Sequence, residues 1–197
     1  MKLLAFVDLH GSKKALRRIE SKAKKADVVV CAGDLTVFEN GIEEILKRLD
    51  KIGKPVLIIH GNHETTDIGK RCRRYKNIHY IHKRIVMLNG FQFIGYGGGG
   101  FSQRERQFER FIEKNKGRIT GKTVLVTHAP PYNTKLDRIM RQHCGNKSYR
   151  KFIAKFKPLL HICGHLHETH GKTDKIGKTH IMNPGAEGKT IEIRDAS

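Results

Sequence analysis

Long apolar runs are missing from this 197-residue chain, and so is tryptophan. No stretch approaches the ~20 residues that a bilayer span requires. The opening MKLLAFVDLHG turns polar too early for a secretory signal, so a cytoplasmic protein with no membrane partner is expected. Cysteine is sparse: Cys31, Cys72, Cys144 and Cys163 are scattered, with no CxxC pair. That spacing argues against a zinc ribbon or a disulfide framework and fits a reducing compartment. Acidic residues are also few, nineteen against thirty-nine Lys and Arg, for a formal charge of +20. The excess bears on partners and not on fold. It fits phosphate-bearing partners (phosphate esters, nucleotides, nucleic acid) and equally a lysine-rich proteome.

The length suits one domain spanning residues 1–197, able to bury about 70% of its unfolded surface without staples. Along the chain, Leu3–Val7, Val28–Cys31 and Pro55–His60 are apolar runs of strand type. Between them, Ser12 is placed to cap a helix reaching about Lys25. Asn40-Gly41 opens a helix with apolar Ile42, Ile45, Leu46 and Leu49 at i, i+3, i+4, i+7. This alternation predicts βαβ units and a sheet that begins parallel. Ile78–Ile81, Ile85–Leu88 and Phe91–Tyr96 are further short strands, two joined by the hairpin signal Asn89-Gly90. Gly97–Gly100 reads as a flexible turn, with close backbone approach to phosphate as the alternative. Helices over Gln103–Lys114 and Ser148–Phe156 and strands over Thr123–Thr127, Leu159–Cys163, Thr179–Met182 and Thr190–Ile193 complete the pattern.

Hard polar residues collect where these strands end. They are Asp8 and His10, then Asp34, then Asn62 and His63, then His128, then His165 and His167. Carboxyl ends of strands in an open α/β sheet form the ligand crevice. Imidazoles, carboxylates and an amide delivered to one edge make a metal-site composition that suits Mn, Fe, Zn, Co or Ni. Each piece alone is weak, since Asp at a strand end usually just caps a turn. Five pieces in order, each after its own apolar run, are hard to assemble by chance.

The set Asp8-x-His10, Gly33-Asp34, Gly61-Asn62-His63-Glu64, His128 and Gly164-His165-x-His167 resembles the calcineurin-like metallophosphoesterases. Pro130-Pro131 and Asn183-Pro184-Gly185 resemble that family too, and the likeness runs from Lys2 to about Ile193; the departure is Glu64, where many members carry Asp. The resemblance implies an α/β fold, a four-layer αββα sandwich of two mixed β-sheets flanked by helices. The central hairpin and the terminal strands are expected to supply the second sheet. It further implies two divalent metal ions, manganese first, with Fe, Zn, Ni or Co compatible. Asp8, His10 and His167 would hold one, Asn62, His128 and His165 the other, and Asp34 would bridge them. A metal-bridging hydroxide would attack phosphorus, making the chain a hydrolase of phosphate esters with phosphodiesterase expected first.

His63 follows a ligand and, on an extended chain, faces the opposite way toward substrate. It is assigned charge stabilisation or leaving-group protonation, with His10 a candidate to share the acid role. Asn62 and His63 are expected to touch substrate, with Tyr132, Arg150 and Lys151 as outer candidates. His170 is placed to back a ligand, whereas His60, His79, His82, His161 and His180 read as structural. Competing readings on the same site are a phosphomonoesterase or nucleotidase and a nuclease. A non-catalytic binding module that retains the fold is the other class.

Overall fold

The computed structural model describes residues 1–194. In chain order the elements are β1 (Lys2–Phe6), α1 (Lys13–Ala23), β2 (Val28–Cys31), α2 (Ile42–Asp50), β3 (Val56–Ile58), α3 (Ile68–Cys72) and β4 (Ile78–Tyr80). There follow β5 (Arg84–Leu88), β6 (Phe91–Tyr96), α4 (Arg106–Asn115), β7 (Thr123–Thr127), β8 (Arg138–Ile139), β9 (Gln142–His143) and α5 (Lys147–Phe156). The chain ends with β10 (Leu160–Ile162), β11 (Thr173–Ile176), β12 (Thr179–Met182) and β13 (Lys189–Glu192). No helix among the described residues is long and apolar enough to cross a membrane.

Two sheets dominate. The first has the order β13-β1-β2-β3-β4 and the second β11-β12-β10-β7-β6-β5. In the first, β1 to β4 run parallel and only β13 is antiparallel. In the second, β6, β7, β10 and β12 are parallel, with β5 and β11 antiparallel at the edges. The near-continuous apolar runs of β2, β3 and β7 are what strands buried on both faces require. Three apolar layers follow. Leu3, Ala5, Val30, Phe93, Val126 and Ile162 fill the space between the sheets. Leu4, Phe6, Leu16, Ile19, Leu46 and Leu49 pack the first sheet against α1 and α2, and Ile94, Leu125, Phe108, Tyr149 and Ile153 pack the second against α4 and α5. The expected αββα sandwich is therefore present.

Local chemistry sets the element ends. Ser12 Oγ accepts from Ala15 N (3.2 Å), closing the orphan first turn of α1. Asn146 Oδ1 does the same for Ser148 and Tyr149 at the start of α5. Asn89 and Gly90, at φ 49° and 79°, make the left-handed pair that joins β5 to β6.

One expectation fails in detail. The strand expected at Thr190–Ile193 joins the first sheet, pairing antiparallel with β1 (Leu3 opposite Ile191), instead of helping to build the second. A four-residue strand with little burial carries no periodic signal to say which sheet it extends. Gly97–Gly100 is likewise no loose turn. Gly98 N donates to His60 O (3.0 Å), Gly97 N donates to His82 Nδ1 (2.9 Å), and a side chain on Gly97 would collide with His60.

Candidate metal centre

The parallel strands of both sheets end at one edge, and the residues singled out above meet there. Tight segments position them. Asp8, His10, Asp34 and His165 all have positive φ (53°, 45°, 53° and 70°), unusual for residues other than glycine. Such conformations persist only where the surroundings enforce them, and they cluster at functional sites. Here the enforcement is close packing. A Cβ on Gly61 would run into the Asp34 carboxylate, and one on Gly164 into Val7.

The donors fall into two groups. Asp8, His10 and His167 present ligand atoms within 4.8 Å of one another, with His10 Nε2 3.0 Å from His167 Nε2. In the second group Asn62 Oδ1 lies 3.0 Å from His128 Nε2 and 2.9 Å from His165 Nδ1. Asp34 stands between, its Oδ2 3.3 Å from His128 Nε2 and 3.9 Å from His10 Nε2. His63 Nδ1 and His165 Nε2 have no hydrogen-bond partner among the described residues.

The second group carries its own test of whether a cation fits. His128 Nδ1 is 2.9 Å from the Ala32 carbonyl, which only accepts, so that nitrogen carries the proton. In the neutral ring Nε2 then turns a lone pair toward an amide oxygen and a carboxylate oxygen. Acceptors facing acceptors repel unless a positive charge sits among them. A proton can supply it, and the His128 pKa is indeed raised: burial opposes the charge, but the hydrogen bond and attraction to Asp34 prevail. A divalent ion supplies it better, and the fixed tautomer is the one a metal ligand needs. The residues fit the group.

The remaining electrostatics agree. Burial alone would raise the Asp34 pKa, yet the His128 and His63 contacts hold it at about 2, so the carboxylate between the two groups is anionic at neutral pH. Burial lowers His10, and pushes His165 down to about 4, leaving both rings neutral donors.

Outer contacts fix the inner ones. Glu64 is buried, and its carboxylate accepts from Asp34 N (3.0 Å), Thr36 N (2.9 Å) and Gly61 N (3.1 Å), tying the second motif to the third. His170 Nε2 lies 3.0 Å from Asp8 Oδ2. If that contact orients the carboxylate, His170→Ala will weaken metal binding by roughly 10- to 100-fold, as loss of such supporting groups typically does. Isothermal titration of the stripped protein measures this, and an unchanged affinity removes His170 from the site.

Not every expectation lands here. His63 reaches the cluster, its ring 5.0 Å from that of His10, but not along an extended chain. Residues 61–64 bend, because the Glu64 carboxylate holds Gly61 N and Asp34 Oδ1 accepts from His63 N (2.9 Å). Tyr132, Arg150 and Lys151 make their contacts elsewhere. Arg150 is bound to the carbonyls of Tyr132 (3.0 Å) and Asn133 (2.9 Å), Tyr132 packs on His143, and Lys151 lines a groove between α4 and α5. His60, His82 and His161 are structural: the first two pack together at 4.6 Å, and His161 Nε2 meets Thr127 Oγ1 at 2.7 Å. Two residues at the rim, Phe38 and Phe101, went unnoticed in the sequence. Nothing in a phenylalanine's neighbours says that its loop will expose it.

With this geometry in place, the comparisons with known proteins are consistent. An uncharacterized protein of Methanocaldococcus jannaschii is 32% identical, over 93% of this chain and 88% of that one. The crystal structure of TT1561 from Thermus thermophilus superposes with a TM-score of 0.76 at 15% identity, covering 98% of this chain and 99% of that one. A dimetal phosphatase from Danio rerio gives 0.60 at 12% identity, covering 92% and 86%. At such identities the two structures speak for the fold alone. The calcineurin-like phosphoesterase profile matches residues 1–169, and the chain belongs to that family.

Proposed function

We propose that this chain is a phosphodiesterase with two divalent ions, manganese the first to try, and that residues 1–197 form one catalytic domain. The observation that carries the reading is the pair of donor groups meeting at the Asp34 carboxylate. Asp8, His10 and His167 would hold one ion, and Asn62, His128 and His165 the other. When bound, the ions would neutralise phosphoryl oxygens and lower the pKa of coordinated water from ~15.7 toward ~7. Asp34 fixes the spacing of the two groups. His63, half-buried beside His10, polarises the ester or delivers a proton to the departing oxygen. His10, its Nε2 turned to His167, belongs with ion binding and leaves proton delivery to His63.

The diester preference is supported by openness: Asn62 and His167 are exposed, so substituents can leave the phosphorus on both sides. The competing reading on the same donor set is a phosphomonoesterase. Protein stripped of metal and reloaded with Mn, Ni, Co, Zn or Mg decides between them. Faster release from bis-p-nitrophenyl phosphate than from p-nitrophenyl phosphate is expected. Faster release from the monoester makes the chain a phosphatase, and no release with two ions bound overturns the enzyme reading.

A further inference from the structure

Of the nine phenylalanines, two are exposed, and both lie on the cluster. Phe38 is 74% and Phe101 62% exposed, whereas the other seven are buried or half-buried. A single exposed apolar side chain is ordinary. A pair in ring contact with the imidazoles of one cluster is not. The Phe38 ring lies 4.9 Å from that of His63, which packs on His10; the Phe101 ring lies 4.5 Å from that of His165, which packs on His128. Each half of the cluster thus has a flat apolar face beside it.

The loops that carry both rings are held where they are. Phe38 and Glu39 adopt φ 50° and 61°, conformations that a bulky residue rarely takes. Their loop is tied down by the Glu39 carboxylate, which accepts from Thr65 N and Oγ1 (both 2.8 Å) and pairs with Arg71. Phe101 follows three glycines of positive φ, with Ser102 N bonded to Gly99 O (2.8 Å) and Asn146 Nδ2 to Ser102 O (2.7 Å). The chain accepts unusual backbone to keep two large apolar rings in water beside the metal ligands.

The geometry points to Phe38 and Phe101 as paired stacking platforms, one on each flank, that select phosphate esters carrying flat aromatic groups. A nucleotide is the ligand class this fits, since every base has a π-face that stacks on an aromatic side chain regardless of sequence. The net charge of +20 favours the phosphate part of the same molecule. The assignment rests on the reading of the cluster as a phosphate-ester site.

The test is binding, read by isothermal titration of the manganese-loaded protein with AMP and with ribose 5-phosphate. Both probes carry the same phosphate and differ in the base. Wild type is expected to bind AMP about 10- to 100-fold more tightly, the range that base stacking supplies. Either flank can take the single base of AMP, so Phe38→Ala and Phe101→Ala should each cut that preference in part and the double variant abolish it, leaving ribose 5-phosphate affinity and metal content unchanged, and Phe38→Tyr and Phe101→Tyr should restore it. Equal affinity of the two probes for wild type, or a preference untouched in both alanine variants, overturns the inference. A loss confined to one variant overturns the pairing. Because the readout is not turnover, failure to hydrolyse any diester would sink the phosphodiesterase reading and leave the AMP preference to be judged separately.

Discussion

In the proposed two-ion centre, replacing Asp34 with Asn will cost both ions, not one. The carboxylate lies between the two donor sets, 3.3 Å from His128 and 3.9 Å from His10. It is buried and, with its pKa held at about 2 against the pull of burial, fully charged at neutral pH. Two divalent ions about 4 Å apart repel by roughly 16 kcal/mol at an effective dielectric of ~20, and a shared anion offsets much of that. Asn keeps the shape and can still accept from His63 N at Oδ1, so the fold should survive while the charge is lost. The expected result is an affinity drop of about 10²- to 10⁴-fold for the pair, since several kcal/mol are at stake and each 1.4 kcal/mol is tenfold. Metal content after gel filtration reads this directly. Two ions per chain retained by Asp34→Asn would remove Asp34 as the bridge.

That prediction was open to the sequence because the site's logic is one-dimensional. Each apolar run ends in its polar residue; parallel pairing brings Asp8, Asp34 and Asn62 to one end of the first sheet and His128 and His165 to one end of the second, and the apolar layer between the sheets holds the two ends together. What stayed hidden depends on contacts between distant segments. The bend that turns His63 onto His10 is made by Glu64 bonding back to Gly61 and across to Asp34, a network that no window of sequence contains. The five residues of α3 and the two-residue strands β8 and β9 are too short to show a period. Phe38 and Phe101 defeat the usual rule outright, because large aromatics are expected inside and only the loop backbone keeps these out. The sheet of β13 was ambiguous for the opposite reason: both sheets had an edge to offer, and its mostly exposed residues favoured neither.

His63→Ala separates binding from chemistry. The His63 ring packs on those of His10 and Phe38, at 5.0 and 4.9 Å, and its Nδ1 meets no partner among the described residues. Its hydrogen bond to Asp34 comes from its backbone N–H, which alanine retains. Both ions should therefore stay bound. Turnover should fall by about 10²- to 10⁴-fold, the range for loss of a positioned proton donor. The size of the loss should depend on the leaving group. An alkoxide needs a proton as it departs, whereas p-nitrophenolate departs without one. The variant should then suffer far more on an alkyl diester than on bis-p-nitrophenyl phosphate, with the same metal loaded in each case. An equal loss on both would assign His63 to steadying charge on phosphorus, because that demand is common to the two esters. Unchanged turnover would place His63 outside the reaction and leave its ring as a support for Phe38 alone.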